Sequence, residues 1–345
     1  MSRRAAAAVA DMGSPVAATA ADAPIDVLFV LPADSLALDW AGPAEALRIA
    51  NQRLQALGRP ARFRLRFVGP AAEADTSVGV RLCGLEPLPA VFPGPTWIVL
   101  VGMPGSRLRL EDPGIAAVLR WLRLLRPATG RLELLTVCAG ALLAAHAGLL
   151  AGRQATTHHH HLDDLRRLEP RCAVVDNRVF VAEPPLYSSA GVTTGIDLVL
   201  HRIGAVCGEA VAASVAQTMV VALRRGPHDP ELSPFLAYRR HLHPALHRVQ
   251  DAVSQRPHED WTAARMAEVA CTSARHLSRL FMEHAEIAPL QYLRRLRLAT
   301  ADAALQSGAS VAQAAERAGF GSDTQLRRAW QQFGMPGTPS QMRPH

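Results

Sequence analysis

Leu132-Glu-Leu-Leu-Thr-Val-Cys-Ala-Gly-Ala-Leu-Leu-Ala144 is an apolar run that meets three small residues and then turns apolar again. Its first half predicts a buried strand, Cys138-Ala139-Gly140 a sharp turn, and the remainder a buried helix. A strand that enters a helix through such a turn is the context of a nucleophile elbow, which exposes one side chain above the edge of a parallel sheet. A thiol at that point feels the helix N-terminus, which favours thiolate. Cys138 is therefore a candidate nucleophile or ligand-contacting residue. The plainer alternative is a cysteine buried as a small hydrophobe. The nearly uncharged stretch 134–152 approaches membrane-spanning length, but Gly140, Gly148, Cys138 and His146 divide it, so no membrane span is expected.

Outward from this stretch, short apolar runs alternate with amphipathic ones, the signature of a parallel sheet wrapped by helices. Strands are predicted at 25–31, 63–68, 97–101 and 132–137, with helices at 38–55 and 113–125. A hairpin-like piece at 174–176, 179–182 and 186–188 follows, then a helix from about Gly195 and another over 209–224. The fold class expected is α/β, a flavodoxin-like parallel sheet sandwiched by helices, followed by an all-α domain. A chain of 345 residues has room for both cores. The domains expected are a disordered tail at 1–24, an α/β domain at 25–224, a connector at 225–244 marked by its glycine and prolines, and a helical domain at 245–343.

In the helical part, Met266, Ala267, Val269, Ala270, Leu277, Leu280 and Phe281 fall where two short helices joined by a tight turn at Cys271 to Ser273 would bury them together. Ser273 suits the N-cap of the second helix, which presents Arg275, His276, Ser278 and Arg279. About fifty residues later the arrangement recurs. Gly319 suits the turn, Ser322 caps the next helix, and Asp323, Gln325, Arg327 and Arg328 supply its polar faces. A long helix over 292–305 would join the two units rigidly. Two recognition helices held this way can read successive major-groove faces of double-stranded DNA. A generic helical bundle is the competing reading.

The formal charge is +7, of which +5 lies after Tyr238 (14 Arg against 9 acidic residues). A basic segment attracts polyanions, although many basic proteins bind no DNA. The five cysteines are odd in number and form no CxxC pair, which excludes a disulfide framework and fits a reducing, cytoplasmic compartment. A catalytic cysteine needs a base in hydrogen-bond reach and donors for an oxyanion. Gly102 is expected to lend its N–H; the base is missing next to Cys138, where Ala139 stands. His158 opens the run Thr156-Thr157-His158-His-His-His161. Adjacent histidines diverge around a helix, and only Asp163 and Asp164 offer further ligands, so no metal and no cofactor are expected.

Residues 240–343 resemble the AraC/XylS family in Ala314-Ala-Glu-Arg-Ala-Gly-Phe-Gly-Ser322, Arg328-Ala-Trp330, Phe333-Gly334 and Pro339. Glu286 departs from it, standing where members usually carry glycine. Residues 25–224 resemble the PfpI/ThiJ class of the glutamine-amidotransferase-like fold in Leu38-Asp-Trp-Ala-Gly-Pro-Ala-Glu45, Val137-Cys-Ala-Gly140, Ala155-Thr-Thr-His158 and Ser188-Ser-Ala-Gly-Val-Thr-Thr-Gly-Ile-Asp197. In enzymes of that class histidine follows the cysteine and a glutamate takes the place of Asp39, so catalysis is not expected here.

The pairing is similar to the GlxA-like regulators. That resemblance implies a transcriptional regulator whose N-terminal domain binds a small, often nitrogen-containing, metabolite. It further implies partners in promoter DNA and RNA polymerase, and a homodimer. On this reading Asp39, Gly102, Cys138, Gly140, His158 and Ser189 line or border the pocket, while Ser273, Arg275, His276, Ser278, Arg279, Ser322, Asp323, Gln325, Arg327 and Arg328 face DNA. The alternative is a cysteine-dependent amidase or glyoxalase-like enzyme with a DNA-binding tail.

Overall fold

A computed structural model describes residues 23–342 apart from 106–107, 222–223, 228, 230, 232–233 and 336. The tail expected at 1–24 lies outside the described residues except for Ala23 and Pro24. The chain divides into two compact units at the Asp229/Pro230 boundary.

The first unit opens with β1 (Ile25–Val30), α1 (Ala37–Ala56), β2 (Phe63–Gly69), β3 (Glu73–Asp75), β4 (Arg81–Cys83), β5 (Glu86–Pro87) and β6 (Thr96–Leu100). It continues through α2 (Pro113–Leu124), β7 (Leu132–Val137), α3 (Gly140–His146), β8 (Gln154–Ala155), α4 (Leu162–Leu168), β9 (Ala173–Val174), β10 (Phe180–Glu183), β11 (Leu186–Ser189), α5 (Thr194–Cys207) and α6 (Glu209–Thr218). One sheet runs β10-β11-β7-β6-β1-β2-β5 and is parallel except at its β10 edge. Strands β1, β6 and β7 are buried along their whole length. Helices cover both faces, which is why these strands read as continuous apolar runs rather than alternating ones. The charges they do carry are paired: Asp26 with Arg64, and buried Glu133 with Arg202, whose guanidinium also lies over the rings of Tyr187 and Trp97.

Two sequence expectations are corrected in this unit. The piece expected at 174–176 does not join the hairpin, because β9 pairs in parallel with β8 and only β10 and β11 run antiparallel. The helix expected to reach Arg224 ends at Thr218. Val220 takes a left-handed φ of 54°, and Val220 N and Val221 N close back on Gln217 O and Ala216 O at 3.1 and 2.9 Å. That is a Schellman closure with valine where glycine is usual. Beyond it, Arg225 is held by Asp197 at 2.6 Å, so the start of the expected connector is part of the first unit.

The second unit is helical, with α7 (Pro234–Ala237), α8 (Pro244–Gln255), α9 (Ala263–Val269), α10 (Ala274–Ala285), α11 (Pro289–Gln306), α12 (Val311–Arg317) and α13 (Asp323–Gln332). It has two apolar cores and α11 serves both. Tyr292, Leu293 and Leu296 pack with α8, α9 and α10, while Leu298, Ala301 and Leu305 pack with α12 and α13. Gly319, at φ 78°, turns the chain between α12 and α13, and a Cβ there would lie 2.5 Å from His258 Cα. Glu286 ends α10 in the left-handed region at φ 53°. Left-handed backbone costs a side-chain-bearing residue about 1 kcal/mol, partly offset by glycine's greater entropy when unfolded. Glu286→Gly should therefore raise the unfolding free energy of this unit by about 0.5 kcal/mol. Urea melts of the full chain check this, and a loss of stability would refute it.

Candidate functional site

In the second unit, every helix of both helix-turn-helix pairs starts on a side-chain cap. Thr262 Oγ1 accepts from Arg265 N at 3.1 Å, Ser273 Oγ from His276 N at 3.2 Å and Ser322 Oγ from Gln325 N at 3.2 Å. Ser310 and Gln313 form a reciprocal capping box on α12. A cap contributes about 1 kcal/mol and fixes where the helix begins. It thereby decides which residues occupy the exposed first turn that a groove would meet.

On α10, Arg275 and Arg279 are exposed one turn apart, opposite the buried Leu277, Leu280 and Phe281. Arg279 Nη2 lies 2.9 Å from His276 Nδ1, and Ser278 Oγ donates to Ala274 O at 2.9 Å, so that hydroxyl is satisfied within its own helix. On α13, Gln325 Oε1 accepts from Gly321 N at 3.0 Å, and Arg327 reaches Ser340 Oγ at 3.2 Å and Asp323 Oδ2 at 3.9 Å. Ser322, Asp323, Gln325 and Arg327 thus shape the helix start or pair locally. Arg328 is exposed and makes no ion pair among the described residues. Thr324, exposed one turn before Arg328, shares its face and was missed by sequence reasoning. The i, i+4 spacing already visible for Arg275 and Arg279 is the signal that identifies it.

The joining helix α11 has 18 residues, which makes it about 27 Å long. Arg297 at its middle donates to Pro257 O and Glu259 O at 2.8 and 2.9 Å, tying the approach to α9 onto it.

In the first unit, β7 passes into α3 through Cys138, whose φ of 54° is rare for a residue with a side chain. The turn is held from both sides: Cys138 N donates to Ser189 O at 3.0 Å, and Thr157 Oγ1 donates to Cys138 O at 2.8 Å. This is the strained elbow expected, with Cys138 itself only 4% exposed. Gly102 faces it; a Cβ on that residue would lie 3.1 Å from Cys138 Cβ and 2.9 Å from Asp39 Oδ2. Its N–H, expected as a donor to a bound oxyanion, is instead given to Asp39 Oδ2 at 2.8 Å. Ser189 Oγ donates to Thr136 O at 3.4 Å. The structure therefore brings Asp39, Gly102, Cys138, Gly140 and Ser189 together around the elbow, and links His158 to it through neighbouring Thr157.

Asp39 is fully buried and its Oδ1 has no hydrogen-bond partner among the described residues. Burial pushes its carboxyl up to about 6, and the Gly102 N–H draws it down by less. Between about pH 4 and pH 6 the folded chain consequently holds a proton there that the unfolded chain has released. This contribution to stability is present below about pH 4 and is lost as pH rises through about 6, an effect on the order of 2 kcal/mol. Asp39→Asn should remove that slope. Urea unfolding at pH 4.5 and 7.5 compares the two proteins, and equal slopes in both would refute the assignment.

A cavity of about 90 Å³ lies over the elbow at the carboxyl edge of the sheet. Its lining includes Asp34, Met103, Arg109, Asp112, Ala139 and Leu142, and Asp34 pairs with Arg109 at 3.0 Å. None of the six residues expected to form the pocket lines this cavity, although Met103 and Ala139, which do, are chain neighbours of Gly102, Cys138 and Gly140. The residues missed come from the loops after β1 and β6. The rule that ligands sit where loops leave the carboxyl ends of parallel strands points to those loops, without singling out side chains.

Residues 99–204 match the DJ-1/PfpI family, and residues 266–344 match a helix-turn-helix domain family. A segment similar to the DJ-1/PfpI family is thus followed by one similar to a helix-turn-helix domain family. The HTH-type transcriptional regulator GbdR of Pseudomonas aeruginosa is 27% identical over 202 residues, 58% of this chain and 55% of GbdR. This chain therefore spans little more than half of that relative. The HTH-type transcriptional regulator CdhR of the same species is 28% identical over 307 residues, 88% of each protein. Isonitrile hydratase of Pseudomonas putida is 36% identical over 95 residues, 28% of this chain and 39% of the hydratase. Among the described residues no helix is long and apolar enough to cross a membrane.

Proposed function

We propose that this protein is a sequence-specific DNA-binding transcriptional regulator whose DJ-1/PfpI domain takes a small-molecule effector without catalysing a reaction. The observation that carries the reading is the pair of capped helices α10 and α13 on one shared helix, each with exposed arginine on its outer face. CdhR, named as a transcriptional regulator, aligns over 88% of this chain, which supports it. The partners this reading adds are promoter DNA, an effector, RNA polymerase and a second copy of the chain. An effector regulates only to the extent that it binds one state better than another. Selection of fragmented genomic DNA by the full-length protein at near-physiological salt, followed by footprinting, tests the proposal. Discrete sites with two protected major-groove patches per protomer are expected. Retention that is uniform across sequence and vanishes with modest salt would mean phosphate attraction alone.

The match to isonitrile hydratase and the strained elbow favour a second reading, a cysteine-dependent enzyme of the amidase, glyoxalase-like or isonitrile-hydrating kind. Against it stand Ala139 after the cysteine and the engagement of the Gly102 N–H by Asp39. Turnover of an amide, a 2-oxoaldehyde or an isonitrile that is abolished by Cys138→Ala would establish it.

A further inference from the structure

The run of histidines after Thr157 does not form an α-helix. His158 is extended at φ −53° and ψ 137°, and His159–His161 make a single 3-10 turn. The divergence expected of adjacent side chains on a helix therefore does not apply. The rings of His158 and His159 stack with centroids 4.1 Å apart, His159 and His160 meet at 4.3 Å, and His158 and His160 at 4.9 Å. One ring nitrogen from each of the three lies within 4.8 Å of the others.

We propose that His158, His159 and His160 form a binding site for a borderline divalent transition metal of the Zn²⁺, Ni²⁺ and Cu²⁺ class. Imidazole suits these ions and not Mg²⁺ or Ca²⁺, which take oxygen ligands. Nitrogens around a zinc ion at about 2.0–2.1 Å stand roughly 3.4 Å apart when tetrahedral. Rotation of half-exposed rings closes the remaining gap. The weak bond from His160 N to His158 Nδ1, at 3.3 Å, is lost if that nitrogen turns to the metal.

The backbone beneath the rings is fixed. Thr156 N donates to Ser188 Oγ at 2.8 Å, Thr157 Oγ1 to Cys138 O at 2.8 Å, and His161 Nδ1 lies 3.1 Å from Asp164 Oδ2 on the far side of the turn. Three protein ligands leave a position open for water or a small molecule. The Thr157 bond places the site one residue from the elbow. The site stands independently of the DNA-binding reading.

Full-length protein stripped with chelator and titrated with Zn²⁺ and with Ni²⁺ tests this by calorimetry and equilibrium dialysis. One saturable equivalent is expected at micromolar free metal. His159→Asn with His160→Asn should weaken it at least about tenfold. X-ray absorption of the loaded protein should show nitrogen and oxygen ligands without sulfur. Both substituted histidines lie on a surface turn, and circular dichroism confirms that the variant folds; His160→Asn alone serves as the milder second variant. No saturable binding below about 100 μM, equal binding by the double variant, or a sulfur ligand would each overturn the proposal.

Discussion

Gly140→Ala is expected to destabilise the first unit by about 3 kcal/mol. A Cβ at this position would lie 2.2 Å from Leu100 O, 2.7 Å from Leu100 C and 3.1 Å from Val101 N. All three are backbone atoms at the end of β6, so no side-chain rotation relieves the overlap. Either α3 lifts from the sheet, or β6 and β7 part. Lifting α3 would uncover Ala141, Leu142 and Leu143, which are at most 3% exposed. Parting the strands would break the ladder that pairs Leu100 with Thr136. For a domain of about 200 residues, 3 kcal/mol lowers the melting temperature by roughly 6–12 °C. Calorimetry of the full-length chain measures this, with the helix-turn-helix domain as an internal reference. A shift under about 2 °C in the transition of the first domain would mean the elbow is more compliant than its geometry implies.

The elbow was legible because its signal is local: an apolar strand, three small residues and an apolar helix cannot be arranged in many ways. The double helix-turn-helix was legible for the same reason, since Ser273 and Ser322 announce helix starts and the buried positions recur at helical spacing. What escaped the sequence depends on distant partners. The piece at 174–176 looked like part of a hairpin; the strand that forms there is Ala173–Val174, and its actual partner, Gln154 and Ala155, carries no pattern that marks it. The end of α6 was hidden because Val220 is a residue that seldom adopts a left-handed backbone. Asp34 and Arg109 lie 75 residues apart and meet only because β1 and β6 are neighbours in the sheet. The histidine run was read on helical geometry, and a single 3-10 turn with an extended first residue changed its chemistry.

Arg275→Ala combined with Arg328→Ala is expected to abolish site-specific DNA binding at concentrations that saturate the unaltered protein. Each arginine that reads a base contributes roughly 1–3 kcal/mol, so the pair amounts to a loss on the order of a thousandfold. The two residues are chosen because the structure leaves them uncommitted: both are exposed and neither has an acidic partner among the described residues. Arg327, held by Ser340 and Asp323, should matter far less, and Arg327→Ala serves as the comparison. Exposed substitutions of this kind change stability by about 0.5 kcal/mol or less, so lost binding is not lost folding.

The single variants separate two roles. An arginine on a base relaxes preference at one position of the site, whereas one on a phosphate weakens all sequences alike and lowers the slope of log K against log salt by about 1. The α13 arginine is the sharper case. Gln325 is turned back onto Gly321 and Arg327 onto its own neighbours, whereas Arg328 and Thr324 are exposed and have no side-chain bond among the described residues. If Arg328→Ala keeps both the affinity and the salt slope of the unaltered protein, α13 does not enter a groove in this geometry, and the first helix-turn-helix unit alone carries recognition.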